Sequence, residues 1–94
     1  MSDKKGIMRG LRLQDKTAFN LGKISDGRGV YHFTIRNTGK ADLIVDDHTQ
    51  EVIKPGETWM IETDVAIMND NLKFKFSGEG IKDAIARYVV NFSC

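Results

Sequence analysis

Three consecutive residues, Asp46, Asp47 and His48, form the densest group in the chain whose types could bind a cation. Two carboxylates together with backbone carbonyls suit a hard ion, and an imidazole is a common metal ligand. Three consecutive side chains rarely converge on one point, however, and aspartates in turns accept backbone hydrogen bonds without any metal. We therefore favour a polar turn, and the sequence predicts no metal ion and no cofactor.

Nucleophilic catalysis would need a thiol or hydroxyl beside a base that a third group orients. The chain has two histidines, His32 and His48, and one cysteine, Cys94, at the end of the sequence, where chains commonly fray. No Gly-Lys-Ser/Thr follows Gly27 and Gly29, as a phosphate-binding loop would require. We predict that the chain is not an enzyme and has no catalytic residue.

Trp59 is the residue best suited to contact a protein or a sugar, because aromatic side chains dominate such interfaces. Trp59 shares one face of its predicted strand with Ile61, while Met60 lies on the other. Each face also carries one glutamate, so the pattern leaves both orientations open. We favour a core tryptophan, with an exposed contact residue as the alternative. Arg36, which points outward from its predicted strand, is a further candidate for binding.

Short runs of alternating apolar and polar residues must position these side chains. In residues 71–77 the apolar Leu72, Phe74 and Phe76 alternate with polar residues, which predicts a half-buried strand. Two neighbouring segments repeat this pattern with apolar residues that we expect to face inward: Tyr31, Phe33, Ile35, Ala41, Leu43 and Val45. The dominant structure is therefore β.

Turn signals separate the strands. Residues 37–40, Asn-Thr-Gly-Lys, predict a hairpin or a tight corner, and residues 54–57, Lys-Pro-Gly-Glu, favour a type II turn. Apolar residues spaced i, i+3, i+4 within 81–86 predict a single helical turn before a last strand over 87–92. Two short strands fit the N-terminal third. Together these signals predict an all-β sandwich or small barrel with seven to eight short antiparallel strands.

Residues 33–39, 41–45 and 53–58 follow one order: a strand, Asn-x-Gly, a strand, then apolar-x-Pro-Gly-Glu before another strand. This order resembles the middle of many bacterial and phage immunoglobulin-like sandwich domains, over about a quarter of the chain. The resemblance implies an immunoglobulin-like β-sandwich and no particular activity. The paired core cysteines of antibody domains are absent, which leaves the topology open.

The 94 residues suit a single domain over 1–94, in which we expect residues 1–5 to be disordered. A single cysteine favours a reducing compartment, because small secreted domains usually carry several disulfides. The N-terminus lacks the apolar region of a signal peptide, and no apolar run approaches the ~20 residues of a membrane span. We therefore expect a soluble chain, cytoplasmic or virion-associated, with no membrane partner.

The charges are unevenly distributed along the chain. Residues 1–16 contain five basic and two acidic residues, whereas residues 42–64 contain seven acidic residues and one lysine. Ordinary solvated surface explains such patches, since charges often protect edge strands. The alternative is a polar head-to-tail contact between copies, or steering of a charged partner.

These observations favour a non-enzymatic structural or assembly module that acts through protein contacts, as a homo-oligomer, a virion subunit or with another protein partner. The first alternative is a carbohydrate-binding module that uses an exposed Trp59 with Asp46, Asp47 and His48.

The second alternative is an OB-like binder of single-stranded nucleic acid. The alternation in β-strand 71–77 argues against it, because Phe74 and Phe76 lie opposite Lys73 and Lys75, so one set is buried when the other is exposed. The acidic segment 42–64 would also repel phosphate. We therefore expect no nucleic-acid partner.

Overall fold

The computed structural model describes residues 6–63, 65–67 and 70–91. These residues form eight strands and one short helix, which confirms the predicted strand count. In chain order the elements are β1 (Gly6–Leu13), β2 (Thr17–Asn20), α1 (Leu21–Ile24), β3 (Val30–Asn37), β4 (Asp42–Val45), β5 (Val52–Ile53), β6 (Thr58–Ile61), β7 (Asn71–Ser77) and β8 (Ala84–Asn91). The predicted disorder of residues 1–5 and the thiol of Cys94 lie outside the described residues.

The strands pair as one long hairpin that is rolled into two sheets. β4 pairs with β5, β3 with β6, β2 with β7 and β1 with β8, so each strand of the first half meets its counterpart in the second half. Further pairing of β8 with β3 and of β7 with β4 completes two antiparallel four-stranded sheets. The first sheet has the order β1-β8-β3-β6 and the second sheet the order β2-β7-β4-β5. This arrangement is a jelly roll.

The predicted all-β sandwich is confirmed in its general form, but the immunoglobulin-like order is not. Immunoglobulin-type domains place strands A, B, E and D in one sheet and C, F and G in the other. In this chain the first strand lies beside the last one, and each sheet combines strands from both halves of the sequence. The spacing of turns could not reveal this, because it does not determine which distant strands pair.

The core lies between the inner faces of the two sheets, with Phe33 near its centre. The ring centroid of Phe33 lies 5.6 Å from that of Phe19 and 6.2 Å from those of both Phe74 and Tyr88. Phe33 and Phe74 come from opposite sheets and are almost fully buried. Aromatic pairs at such separations contribute about 0.5–1.5 kcal/mol beyond the area they bury. These rings join the two sheets.

The apolar side chains of β3, β4 and β7 that were predicted to face inward do so, with one exception. Tyr31 is only half-buried, because the register of β3 against β8 shifts between Val30 and Phe33. A bulge of this kind adds one residue and reverses the alternation locally. Val30 therefore takes the inward position, and the Tyr31 hydroxyl donates to Oδ1 of Asn91 at 3.3 Å.

The predicted helical turn over residues 81–86 is wrong. Residues 81–83 are irregular, and β8 begins at Ala84 with a strand-like alternation of buried and exposed residues. The Ile81 carbonyl accepts hydrogen bonds from the backbone N–H groups of Lys40 and Ala41, so its partners lie in another part of the chain. These tertiary hydrogen bonds override a local helical pattern of only three apolar residues. The short helix is α1 instead, and no helix in the described ranges is long and apolar enough to span a membrane.

The turn between β3 and β4 is a corner between the two sheets, and Asn37 holds it. Asn37 is fully buried, and its Nδ2 donates to the carbonyls of Ala41 at 2.8 Å and Ile53 at 2.9 Å. Its Oδ1 accepts from the backbone N–H of Gly39 at 3.1 Å, and its own carbonyl accepts from Gly56 N–H at 2.7 Å. One side chain thus connects β3, the start of β4 and β5.

The predicted Pro-Gly turn between β5 and β6 is confirmed. Gly56 has a φ of 87°, where an L side chain would be strained, and Glu57 N–H donates to the Lys54 carbonyl at 2.9 Å. The Glu57 Oε1 in turn accepts from Lys54 N–H at 2.8 Å. This hydrogen bond fixes the position of the Glu57 carboxylate.

Candidate functional site

Asp47, a candidate binding residue for which the sequence favoured a turn, serves as a turn residue between β4 and β5. Its Oδ1 accepts hydrogen bonds from Thr49, at 2.8 Å from the backbone N–H and 2.5 Å from the hydroxyl. The bond from the Thr49 hydroxyl is the main cause that lowers the pKa of Asp47 below its ordinary value. This geometry matches an aspartate-stabilised turn.

Asp46 is also engaged within the chain. Its Oδ1 accepts from Gln50 Nε2 at 3.0 Å and lies 3.6 Å from the ammonium group of Lys75. The hydrogen bond from Gln50, more than the charge of Lys75, lowers the pKa of Asp46. His48, which lies between Asp47 and Thr49 in the same turn, is exposed. Within the described residues no three His, Cys, Asp or Glu side chains are grouped as metal ligands.

Trp59 faces the interior from β6, which agrees with the favoured orientation. Its ring centroid lies 5.8 Å from that of Phe74 and 6.4 Å from that of Phe33, both in edge-to-face geometry. Met60, on the opposite face of the strand, is 53% exposed. The Trp59 side chain remains half-buried, because β6 is the edge strand of the first sheet.

A cleft of about 190 Å³ lies beside Trp59, between the edge strands β5 and β6 of the two sheets. Its lining consists of Glu51, Val52, Ile53, Glu57, Thr58 and Trp59. Asp46, Asp47 and His48 are not part of that lining, so the cleft does not combine them with Trp59 as the carbohydrate hypothesis requires. We call this feature the acidic cleft, after its two glutamates.

Arg36 lies on the outer face of the first sheet, where the strand register defines two rows of side chains. Residues of β3 and β8 that alternate with buried ones point outward, together with their cross-strand neighbours on β1 and β6. From β1 to β6, one row is Gly10, Arg87, Thr34 and Met60, and the next is Arg12, Ile85, Arg36 and Thr58. We call these two rows the arginine face.

The arginine face contains no lysine, aspartate or glutamate within its rows. Arg12 donates to both carboxylate oxygens of Asp83 at 2.9 Å, and the hydrogen bond from Arg12 is the largest cause that lowers the pKa of Asp83. Arg36 and Arg87 take part in none of the ion pairs between described residues. As diagonal neighbours on β3 and β8, their backbones lie about 7–8 Å apart.

Glycine in β1 gives Arg87 space on this face. A Cβ atom added at Gly10 would lie 3.2 Å from Nη1 and 3.9 Å from Cζ of Arg87. The guanidinium therefore extends over the part of β1 that lacks a side chain. Met60 and Ile85, which are 53% and 36% exposed, are the two large apolar side chains in the rows.

The outer face of the second sheet differs in composition, because it carries lysines that are paired with aspartates. Lys73 and Lys75 point outward from β7, and two ion pairs connect neighbouring charges there: Lys75 with Asp46, and Lys54 with Asp42 at 3.1 Å. Exposed lysines paired with aspartates are typical of solvated protein surface. The arginine face therefore differs from the outer face of the second sheet.

Sequence reasoning identified Arg36 but missed Arg87, Met60 and Ile85. A period-two pattern over residues 84–91 was available as a signal, but the helical interpretation of residues 81–86 concealed it. That these residues are neighbours could not be derived from the sequence, because β8 inserts between β1 and β3.

No protein-family model matches this chain, and a search of curated proteins gave no match. Among solved structures, the chain is similar to the solution NMR structure of a de novo designed double-stranded β-helix, with a TM-score of 0.40 and 13% identity over 89% of this chain and 95% of that one. It is also similar to a mutant of a family 29 carbohydrate-binding module, with a TM-score of 0.34 and 20% identity over 96% of this chain and 78% of that one. Similarity at this level carries no argument about what this chain binds.

Proposed function

We propose that this chain is a non-enzymatic structural or assembly module that binds an acidic protein surface through its arginine face. The observation that carries the proposal is the pair Arg36 and Arg87, two neighbouring arginines that lack a carboxylate partner within the two rows. Carboxylates of a partner would supply the opposite charge that these two guanidinium groups lack within the rows. The setting we propose is a subunit of an oligomer, of a virion or of another assembly.

The composition of the arginine face supports a protein partner. Arginine and methionine are enriched at protein interfaces, whereas lysine, glutamate and aspartate are depleted. Met60 and Ile85 lie in the same rows as the arginines, and a partner's side chains would remove their exposed apolar surface from water. Guanidinium groups also form two parallel hydrogen bonds with a carboxylate, which gives orientation as well as affinity.

The same face is less suited to nucleic acid or to a sugar. Binders of single-stranded nucleic acid stack bases on aromatic side chains, and the two rows contain none. Small ligands prefer concave sites, whereas these rows lie across a four-stranded sheet. Phe74 faces the core while Lys73 faces solvent. As predicted from the sequence, this strand therefore does not present aromatic and basic side chains together on one exposed face.

The test is a comparison of two charge-reversal variants in affinity purification from cells that naturally produce the chain. The double variant Arg36→Glu and Arg87→Glu reverses the arginine face, while the control Lys23→Glu and Lys73→Glu makes the same change of charge at exposed positions near the second sheet. We expect the co-purified proteins, identified by mass spectrometry, to be lost from the first variant and retained by the control. Circular dichroism must show that both variants fold.

Equal retention of the partners by both variants would contradict the proposal. Equal loss would mean that only net charge matters, which also contradicts a role for one defined face. Under either result the arginine face would be ordinary solvated surface.

A further inference from the structure

The acidic cleft is complementary in charge to the arginine face of the same chain. Glu51 and Glu57 contribute two carboxylates, and the lining contains no lysine or arginine. Val52, which is 45% exposed, and the half-buried Trp59 contribute apolar surface beside these charges. The cleft thus combines acidic and apolar groups, as the arginine face combines basic and apolar groups.

We propose that the arginine face of one copy docks on the acidic cleft of a second copy, with Arg36 and Arg87 directed at Glu51 and Glu57. This inference rests on the proposed function and names its partner as another copy of this chain. The Glu57 carboxylate is already held by the hydrogen bond from Lys54 N–H, so docking does not have to order it. An arginine in the cleft would also lie near the indole of Trp59, where a cation–π contact is favourable.

The two surfaces are different patches that meet at Thr58, which belongs to both, and a contact between different patches determines the type of assembly. The arginine face covers the outside of the first sheet, whereas the acidic cleft opens between the edge strands β5 and β6. A contact that joins two different surfaces is heterologous, and it generates a ring when the rotation closes and an open chain when it does not. In such an assembly each copy would contact one neighbour through its arginine face and another neighbour through its acidic cleft.

Sedimentation velocity of the purified chain over a range of concentrations tests the inference. At about 0.1 M salt we expect the average mass to rise with concentration. At about 1 M salt, where the Debye length falls from about 10 Å to about 3 Å, we expect a shift back toward the monomer. A monomer at every concentration in low salt would overturn the inference.

Substitution of the charged residues on each surface makes the test specific. The double variant Arg36→Glu and Arg87→Glu removes the basic surface, and the double variant Glu51→Lys and Glu57→Gln removes the acidic one. Glutamine at position 57 retains an oxygen that can accept the hydrogen bond from Lys54 N–H. We expect each variant alone to associate at least about tenfold more weakly than the wild type.

Mixing the two variants should restore association, because the intact arginine face of one then meets the intact acidic cleft of the other. The Lys23→Glu and Lys73→Glu control should associate like the wild type. Weakening by the arginine variant but not by the glutamate variant would overturn the inference, since the occupant would not be the acidic cleft. A strictly monomeric wild type that still loses other partners upon reversal of the arginine face would overturn this inference and leave the proposed function standing.

Discussion

Replacement of Asn37 by alanine should be among the most destabilising single substitutions in the chain. The side chain is fully buried and makes three hydrogen bonds, to the carbonyls of Ala41 and Ile53 and from the N–H of Gly39. Alanine leaves all three backbone groups without that partner, and each buried unsatisfied group costs about 1–3 kcal/mol. Since water can enter part of the space, we expect a loss of about 3–5 kcal/mol in the free energy of unfolding. Domains of this size have about 5–15 kcal/mol in total.

Urea unfolding measures this loss, through a lower midpoint at an unchanged slope. Lys40→Ala is the matched control, because Lys40 lies in the same corner with an exposed side chain and its backbone hydrogen bond is retained. A loss below about 1 kcal/mol for Asn37→Ala would refute the reasoning, since it would mean that the corner does not depend on these bonds.

Asn37→Asp provides an independent check with a defined pH dependence. An ionised carboxylate cannot donate to the carbonyls of Ala41 and Ile53, so burial raises the pKa of the new aspartate in the folded state. A raised folded pKa means that ionisation favours the unfolded chain, so the penalty relative to the wild type grows as pH rises above about 3.9. We expect the variant to be closest to the wild type near pH 3, and a penalty independent of pH would contradict this assignment.

Three further predictions concern the corner, the ion pair and the core. Gly39→Ala should cost about 1–3 kcal/mol in urea unfolding, because the added Cβ would collide with the Ile81 carbonyl oxygen; an unchanged midpoint would contradict this close approach. In NMR titration the carboxyl of Asp83 should have a pKa below its ordinary value, and Arg12→Ala should raise that pKa. Because the folded pKa of Asp83 is lowered, the stability it contributes is present above about pH 4 and lost as pH falls, so the variant should lose less stability than the wild type on acidification. Phe33→Ala should cost about 3–5 kcal/mol and shift tryptophan emission to the red, and emission that stays unchanged would argue against the contact between Phe33 and the indole.

Much of the secondary structure could be predicted from the sequence because its signals are local. The alternation around Phe74 reflects the two-residue period of a strand that is buried on one face, and it holds whichever strand lies alongside. The Pro-Gly turn before β6 similarly depends on the φ preferences of two residues. The short segment at 81–86 shows the limit of such signals. Three apolar residues at helical spacing were outweighed by hydrogen bonds from Lys40 and Ala41 to Ile81.

The candidate site was less predictable, because it depends on neighbours that are distant in sequence. Arg36 could be placed on an outward strand face, but its proximity to Arg87 results from the insertion of β8 between β1 and β3. The sequence predicted Asn37 only as a turn residue. Its burial and its hydrogen bond to the Ile53 carbonyl depend on the approach of β5, which is distant in sequence. The orientation of Trp59 was open in the pattern, and the edge-to-face contacts with two core rings decided it.

The sequence by itself determined that this chain builds short strands with one apolar face, separated by turns at definable residues. Those properties follow from backbone preferences and from side-chain alternation over a few residues, which are the same in any β-sandwich. The tertiary structure alone decided which strands pair, and therefore that the sheets follow jelly-roll order and that Arg36 of β3 and Arg87 of β8 lie in neighbouring rows on one face of the first sheet. Strand pairing depends on the packing of side chains brought together from across the chain, and local patterns leave that choice open.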